Sequence, residues 1–124
     1  MTEPLLHKEI TDAVIRAYYD VYNSLGVGFL ESVYLKAVVL ALVEKGLKVQ
    51  AQAPLTVKFR GHVVGEFYAD LLVEGRVIVE LKVARSLAAE HESQLINYLR
   101  ATGIRVGLLV NFGKARLEWK RLVC

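Results

Sequence analysis

The sequence predicts one α/β domain over residues 1–124: a mixed β-sheet flanked by helices, in the order α-α-β-β-β-α-β-β. Three observations carry this expectation. Apolar residues recur at helical spacing up to Gly46 and at strand spacing after it. A helical stretch separates the third and fourth strands, which is the connection parallel strands require. Hydrophobic residues make up 54% of the 124 positions and charged residues 23%, which excludes a disordered chain and supplies a core.

The first helix is expected from about Leu5 to Leu25. Leu6, Ile10, Ala13, Val14, Ala17 and Val21 recur on one face, Pro4 suits the first turn, and Gly26 is a natural stop. A second helix, from about Phe29 to Lys45, is closed by Gly46. Its middle, Leu35 to Val43, is apolar nearly all round, which predicts burial on more than one side or packing against a second copy of the chain. Val49–Arg60 and His62–Val73 read as strands joined at Arg60-Gly61-His62. A third strand, Arg76–Val83, is entered through Val73-Glu74-Gly75. Leu87–Ala101 returns to helical spacing, with Ser86 as N-cap and Gly103 beyond its end. Ile104–Asn111 is a short apolar strand, and Ala115–Leu122 a last strand at the sheet edge.

Several function classes fall away. The longest apolar run, Ala37–Val43, is far short of the roughly 20 residues a membrane span needs. The N-terminus lacks the basic flank and apolar stretch of a signal peptide, and the one cysteine, Cys124, permits no internal disulfide. Together these predict a cytoplasmic protein without membrane partners. Sixteen Lys and Arg against 13 Asp and Glu give a net charge of +3, compatible with a polyanionic partner but too mild to demand one.

The informative segment is YADLLVEGRVIVELKV, where Asp70, Glu80 and Lys82 interrupt an otherwise buried strand pair. Glu80 and Lys82 are two apart and share a face. A three-residue loop Val73-Glu74-Gly75 pairs Leu72 with Arg76 and Asp70 with Ile78. That sets Asp70 diagonal to Glu80 on one face, roughly 7–8 Å away. A two-residue loop puts them on opposite faces; Gly75 in the third loop position favours the first arrangement. Two carboxylates with oxygens about 5 Å apart repel by about 3 kcal/mol at an effective dielectric of 20. A hard divalent cation relieves that repulsion, and Mg²⁺ is typically held by one or two carboxylates plus phosphate oxygens. The plainer alternative is an exposed strand face carrying an ordinary Glu–Lys pair, with Asp70 on a loop.

On the following helix His91, Gln94, Leu95 and Tyr98 share a face. A neutral Gln can bind water or a phosphate oxygen without altering site charge; the alternative is that Gln94 caps a neighbouring backbone group and Tyr98 is core. His91 reads as a first-turn residue. HESQL lacks the second His of the zinc motif HExxH. The string G-V-G-F-L-E resembles G-x-G-x-x-G, but it follows a helix and ends in Glu, so the dinucleotide reading fails. Glu31 and Tyr34 are one turn apart and can look into one cleft, although a first-turn acid also simply complements the helix dipole.

Gly28-Phe29-Leu30-Glu31-Ser32-Val33-Tyr34 resembles the signature of the GxxExxY proteins, a small branch of the PD-(D/E)XK nuclease superfamily. The likeness extends over ADLLVEGRVIVELKV, Gln94–Leu99, Gly107–Gly113 and Lys120-Arg121, nearly the whole chain. The resemblance implies the superfamily's mixed sheet with helices on both sides. It makes Asp70 the metal-binding aspartate and Glu80 and Lys82 the (D/E)XK pair, with the carbonyl of Leu81 as a further ligand. Gln94 and Tyr98 resemble the QxxxY element of the RecB-like nucleases, and Glu31 the helix carboxylate that some members add to the metal. Family members often carry Pro between the two glycines and His shortly before; here those positions are Val27 and Tyr22, and Ala69 replaces the Pro of the superfamily name.

The resemblance thus implies a Mg²⁺- or Mn²⁺-dependent phosphodiesterase acting on nucleic acid, DNA in the first place. Asp70, Glu80, Lys82 and Gln94 are its catalytic set, Asp70, Glu80, Leu81 and Glu31 its metal set, and Tyr34 and Tyr98 support them. Lys114, Arg116, Lys120 and Arg121 are candidate phosphate contacts or a solvated edge strand. The alternative is a catalytically inactive nucleic-acid- or partner-binding module that keeps the nuclease fold. The apolar second helix suggests a homodimer.

Overall fold

A computed structural model describes residues 5–124. Helix α1 (Lys8–Leu25) buries the stripe Ile10, Val14, Ala17, Tyr18 and Val21. It begins three residues later than its apolar pattern suggests, and Pro4 lies outside the described residues. Its end is Gly26, whose N–H donates to the Tyr22 carbonyl at 2.8 Å. Helix α2 (Glu31–Glu44) starts two residues later than expected because Gly28 adopts a left-handed φ of 111° and Leu30 is extended. Only the stripe Tyr34, Val38 and Leu42 is buried; Val33, Leu40 and Val43 face outward.

Strands β1 (Val49–Phe59) and β2 (His62–Val73) form a long hairpin. Its turn is Arg60-Gly61, both at positive φ, with Phe59 paired to His62; this matches the twist of the flanking strands. Then follow β3 (Val77–Lys82), α3 (Ala89–Thr102), β4 (Val106–Asn111) and β5 (Glu118–Val123). The five strands lie in chain order, with β3 and β4 parallel and the other pairs antiparallel. Helices α1 and α2 cover one face through Val14, Tyr18 and Leu42 against Leu71, Val79, Leu81 and Leu108. Helix α3 covers the other, with Leu95 and Leu99 on Ile78 and Leu109. Every residue of β4 is buried, which is why its sequence runs apolar without alternation.

The β2–β3 loop differs from the expected one. Val73 pairs with Val77 and Leu71 with Val79, so the three-residue loop is Glu74-Gly75-Arg76, one position later. Glu74 joins Gly75 at positive φ, and Arg76 N–H closes the turn onto the Val73 carbonyl at 3.0 Å. The shift changes each pairing by two, so parity survives: extended one step past the last pair, Leu71↔Val79, the register sets Asp70 against Glu80 rather than diagonal to it.

A second departure was invisible in the sequence. Between Ala51↔Leu71 and Ala53↔Ala69 the pair Gln52/Asp70 is missing from the ladder, and Gln52 has a left-handed φ of 52°. Side-chain alternation inverts there. Leu71 and Val73 pack toward α1 and α2, whereas Ala69, Ala53 and Leu55 pack toward α3. The outer part of the hairpin therefore becomes an arm lying over α3.

The end of β3 is fixed by Asn111, fully buried at the end of β4. Its Oδ1 accepts from the Ala84 N–H (3.0 Å) and the Gly113 N–H (2.9 Å), and its Nδ2 donates to the Ala84 carbonyl at 2.9 Å. Phe112 N–H donates to the Lys82 carbonyl at 2.8 Å. Gly113 passes so close that a Cβ there would lie 2.2 Å from the Ala84 carbonyl oxygen. The Tyr18 hydroxyl donates to the Asn111 carbonyl and accepts from the Glu118 N–H at 3.1 Å, tying α1 to the ends of β4 and β5.

Replacing Asn111 by Ala strands three partly buried main-chain groups and is expected to cost roughly 2–4 kcal/mol. Gly113→Ala, which forces the two chain segments apart, is expected to fall in the same range. Urea unfolding measures both; wild-type stability in either variant would remove the clamp from this account.

Candidate active site

Four elements meet at the end of β3. Asp70 comes from β2, Glu80 and Lys82 from β3, Gln94 and Tyr98 from α3, and Glu31 from the first turn of α2. The alternation of β3 sends Ile78 and Glu80 to the α3 face, while Val79 and Leu81 enter the opposite core. Asp70 Oδ2 accepts the Leu81 N–H at 2.8 Å, taking up a donor left by the broken ladder. Lys82 Nζ donates to Gln94 Oε1 at 3.3 Å, and among the described residues it forms no ion pair.

Glu80 is only 4% exposed, and its Oε1 is buried without a hydrogen-bond partner. Burial first, and then the Asp70 carboxyl beside it, push its pKa up to about 9, against an opposing pull from Lys82. Glu31 is raised by partial burial and by Asp70, again with Lys82 opposing. Burial, Glu80 and Asp70 raise the Tyr98 phenol. Groups on α2, β3 and α3 thus all feel the same aspartate on β2.

These residues fit a divalent cation in one respect and leave it incomplete in another. Among the described residues no three acidic, imidazole or thiol side chains converge closely enough to form a cage. Mg²⁺, however, usually takes one or two carboxylates and fills its remaining positions with water and phosphate oxygens. The orphaned Glu80 oxygen beside Asp70 is the kind of donor such an ion satisfies.

The other expected residues are placed differently. Tyr34 does not look into the site. It is fully buried, stacked on Phe112 at 4.2 Å, and its hydroxyl donates to the Gly26 carbonyl (2.6 Å) while accepting the Phe29 N–H (3.2 Å). It braces the Gly26–Phe29 turn that delivers Glu31. Ser86 caps nothing on α3: His91 Nδ1 takes the Ala88 N–H at 3.0 Å, and Glu118 Oε1 takes the Leu87 N–H at 2.8 Å. The four cations near the C-terminus are not brought together. Lys114 pairs with Glu118 at 3.0 Å and Lys120 with Glu92 on α3 at 2.9 Å. Arg121, its neighbour on the strand, points the other way and donates to the Leu6 carbonyl at 2.6 Å. Arg116 is exposed in the loop before β5. The Asn111–Gly113 clamp behind the site has only the string NFG after an apolar strand as its signal in the sequence.

Glu80 holds its proton more tightly folded than unfolded, where its pKa is near 4.5. The ionisation part of its burial cost is therefore absent below that value and grows as the pH rises toward 9. Metal-free wild type is expected to lose roughly 1–3 kcal/mol relative to Glu80→Gln between about pH 5 and pH 8. Denaturant titrations at the two pH values read this directly, and a pH-independent difference would contradict a buried, proton-holding Glu80.

No curated protein matches the sequence. Among solved structures, the crystal structure of SSO0001 superimposes with a TM-score of 0.52 at 18% identity, covering 97% of this chain and 70% of that one, a likeness of fold. A family model described as the PD-(D/E)XK nuclease superfamily matches residues 8–122, which include every residue gathered at the end of β3. The chain belongs to the PD-(D/E)XK nuclease superfamily.

Proposed function

We propose that the protein is a metal-dependent phosphodiesterase acting on nucleic acid, DNA in the first place, and that within the superfamily it is a GxxExxY member. The observation that carries the reading is the buried Glu80 oxygen without a partner, set beside Asp70. Nothing in the packing of β3 needs two carboxyls there, and their joint cost is relieved by a cation.

In this reading Asp70 and Glu80 hold Mg²⁺ or Mn²⁺, with the Leu81 carbonyl and Glu31 in support. Such an ion, when bound, polarises a phosphodiester and lowers the pKa of water. Lys82, bonded to a neutral amide rather than to a carboxylate, keeps its full charge for the phosphate oxygen on which charge develops. Gln94 orients the ammonium and offers its NH₂ group to water or phosphate. Tyr98 closes the inner side of the site. Lys114, Arg116, Lys120 and Arg121 are left with at most a peripheral part in phosphate contact, because most are already engaged. The exposed Val33, Leu40 and Val43 of α2 support a homodimer, which light scattering at micromolar concentration decides. Among the described residues no helix is long and apolar enough to cross a membrane.

Calorimetric titration with Mn²⁺ tests the metal site without a guess about substrate. Binding is expected in the wild type and should vanish in both Asp70→Asn and Glu80→Gln. On single- and double-stranded DNA and RNA, Lys82→Met is expected to slow cleavage about 10²–10³-fold while leaving binding nearly unchanged. Absence of Mn²⁺ binding at millimolar concentration, together with no cleavage, would move the inactive nucleic-acid-binding module ahead.

A further inference from the structure

Where the β1–β2 arm crosses α3 it leaves an open cleft of about 890 Å³ that adjoins the candidate active site. That volume is within the range of small-molecule sites, roughly 300–1,000 Å³. The arm contributes Phe67, 45% exposed, its ring laid along the strand over Gly65. From α3 come Tyr98, whose ring centre is 5.8 Å from that of Phe67, and the carboxamides of Gln94 and Asn97. Glu90 and Arg100 are its charged residues, one of each sign and ten residues apart, about 15 Å along the helix. The cleft is therefore close to neutral, with an exposed aromatic face and amide groups that both donate and accept. Val57, Ala89 and Ala101 complete a lining that is mostly apolar, which does not suit a phosphate. It suits a flat, uncharged, hydrogen-bonding ring.

We propose that this cleft is a subsite for an unpaired nucleobase of the bound strand, stacked on Phe67 and met at its edge by Gln94 and Asn97. The proposal rests on the nucleic-acid reading above and deepens it: the substrate presents a base outside a duplex, from a single strand or extruded from a double one. Gln94 joins the two sites, since its Oε1 holds Lys82 while the same side chain lines the cleft. A strand whose phosphate sits at Lys82 has an adjacent base within reach of the cleft. Aromatic stacking of this kind tolerates any base, whereas amide contacts at the edge add preference.

The test uses the full chain in EDTA, so that binding is read without cleavage. Three oligonucleotides carry 2-aminopurine: a single strand, an intact duplex, and a duplex with one unpaired position. A fourth, single-stranded, has an abasic site there. Wild type is expected to bind the single strand with quenched fluorescence and to favour it over the abasic strand. Phe67→Ala should relieve the quench and weaken single-strand binding roughly 5- to 150-fold. Phe67→Trp should keep both, and the intact duplex should be affected by neither variant. Quenching in the duplex with an unpaired position, absent from the intact duplex, identifies extrusion as a second source of the base. Equal binding of the abasic strand, an equal loss on intact duplex, no effect of Phe67→Ala, or no oligonucleotide binding at all would overturn the proposal. The same strands with Mn²⁺ separate it from the activity. If Asp70→Asn abolishes cleavage and Phe67→Ala changes nothing, only the base subsite fails. If the quench behaves as expected and no variant of Asp70 or Glu80 matters, only the nuclease reading fails.

Discussion

Past Leu71↔Val79 the ladder between β2 and β3 is continued by a side chain: Asp70 Oδ2 takes the Leu81 N–H in place of a main-chain carbonyl. A backbone donor in a buried strand has to be paired, and here only a carboxylate is present to do it. The substitution lets the two strands part without leaving that donor orphaned. It also holds the Asp70 carboxyl beside Glu80. The left-handed Gln52 on β1 completes the parting by turning the hairpin's faces over, so that the arm lies above α3. The site, the arm and the cleft beside it are consequences of one break in the sheet.

That break places a carboxyl group where the fold gains nothing from it. Ile78 and Leu81, its near neighbours on β3, are fully buried, and Glu80 sits between them at 4% exposure. An ionised carboxylate in such surroundings is costly unless paired, and Glu80 lowers the cost by holding a proton. The rest of the sheet compensates by rigidity. Asn111 and Phe112 fix the chain from Lys82 to Ala84 with three hydrogen bonds, and Tyr18 and Tyr34 brace Phe112 from the helical side. Buried polar side chains that are fully paired stiffen their surroundings, and a site built on strands needs that stiffness.

The eight elements and their order were legible from local periods and breaks: α1 at 3.6, β4 as an unbroken apolar run, and the stops at Gly26, Gly46 and Gly103. The pairing of Glu80 with Lys82 on one face follows from the period of two. What the sequence hid were places where a local rule is broken for a tertiary reason. Gln52 adopts a conformation that no propensity assigns to it, so the inversion of the arm and the exposure of Phe67 could not be anticipated. Tyr34 reads as a neighbour of Glu31 on a helix, yet its direction was set by the Gly26 carbonyl and by Phe112, both remote in that periodicity. Lys120 and Arg121 are adjacent in the chain and so look like one basic patch, while strand geometry sends them to opposite faces. Asp70, Glu80, Lys82, Gln94 and Tyr98, the residues the resemblance named, come together at the end of β3; the packing decided which of their neighbours join them.

The electrostatics give a measure of that convergence independent of any motif. Asp70 raises the pKa of Glu31, Glu80 and Tyr98, and Lys82 pulls the two acids back down, so side chains from four elements share one local field. Formally three acids and one lysine leave the site at −2, but a proton on Glu80 brings it nearer to neutral. Lys82 is bonded to Gln94 and not to any of the acids, although all three act in its vicinity. A lysine paired with Glu80 would neutralise the carboxylate and be immobilised by it; an amide partner orients the ammonium while leaving its charge intact. The arrangement thus keeps a cation and the buried carboxyl side by side with no ion pair between them. The site therefore presents carboxyls from α2, β2 and β3 on one side and an ammonium on the other, held apart by the amide of Gln94.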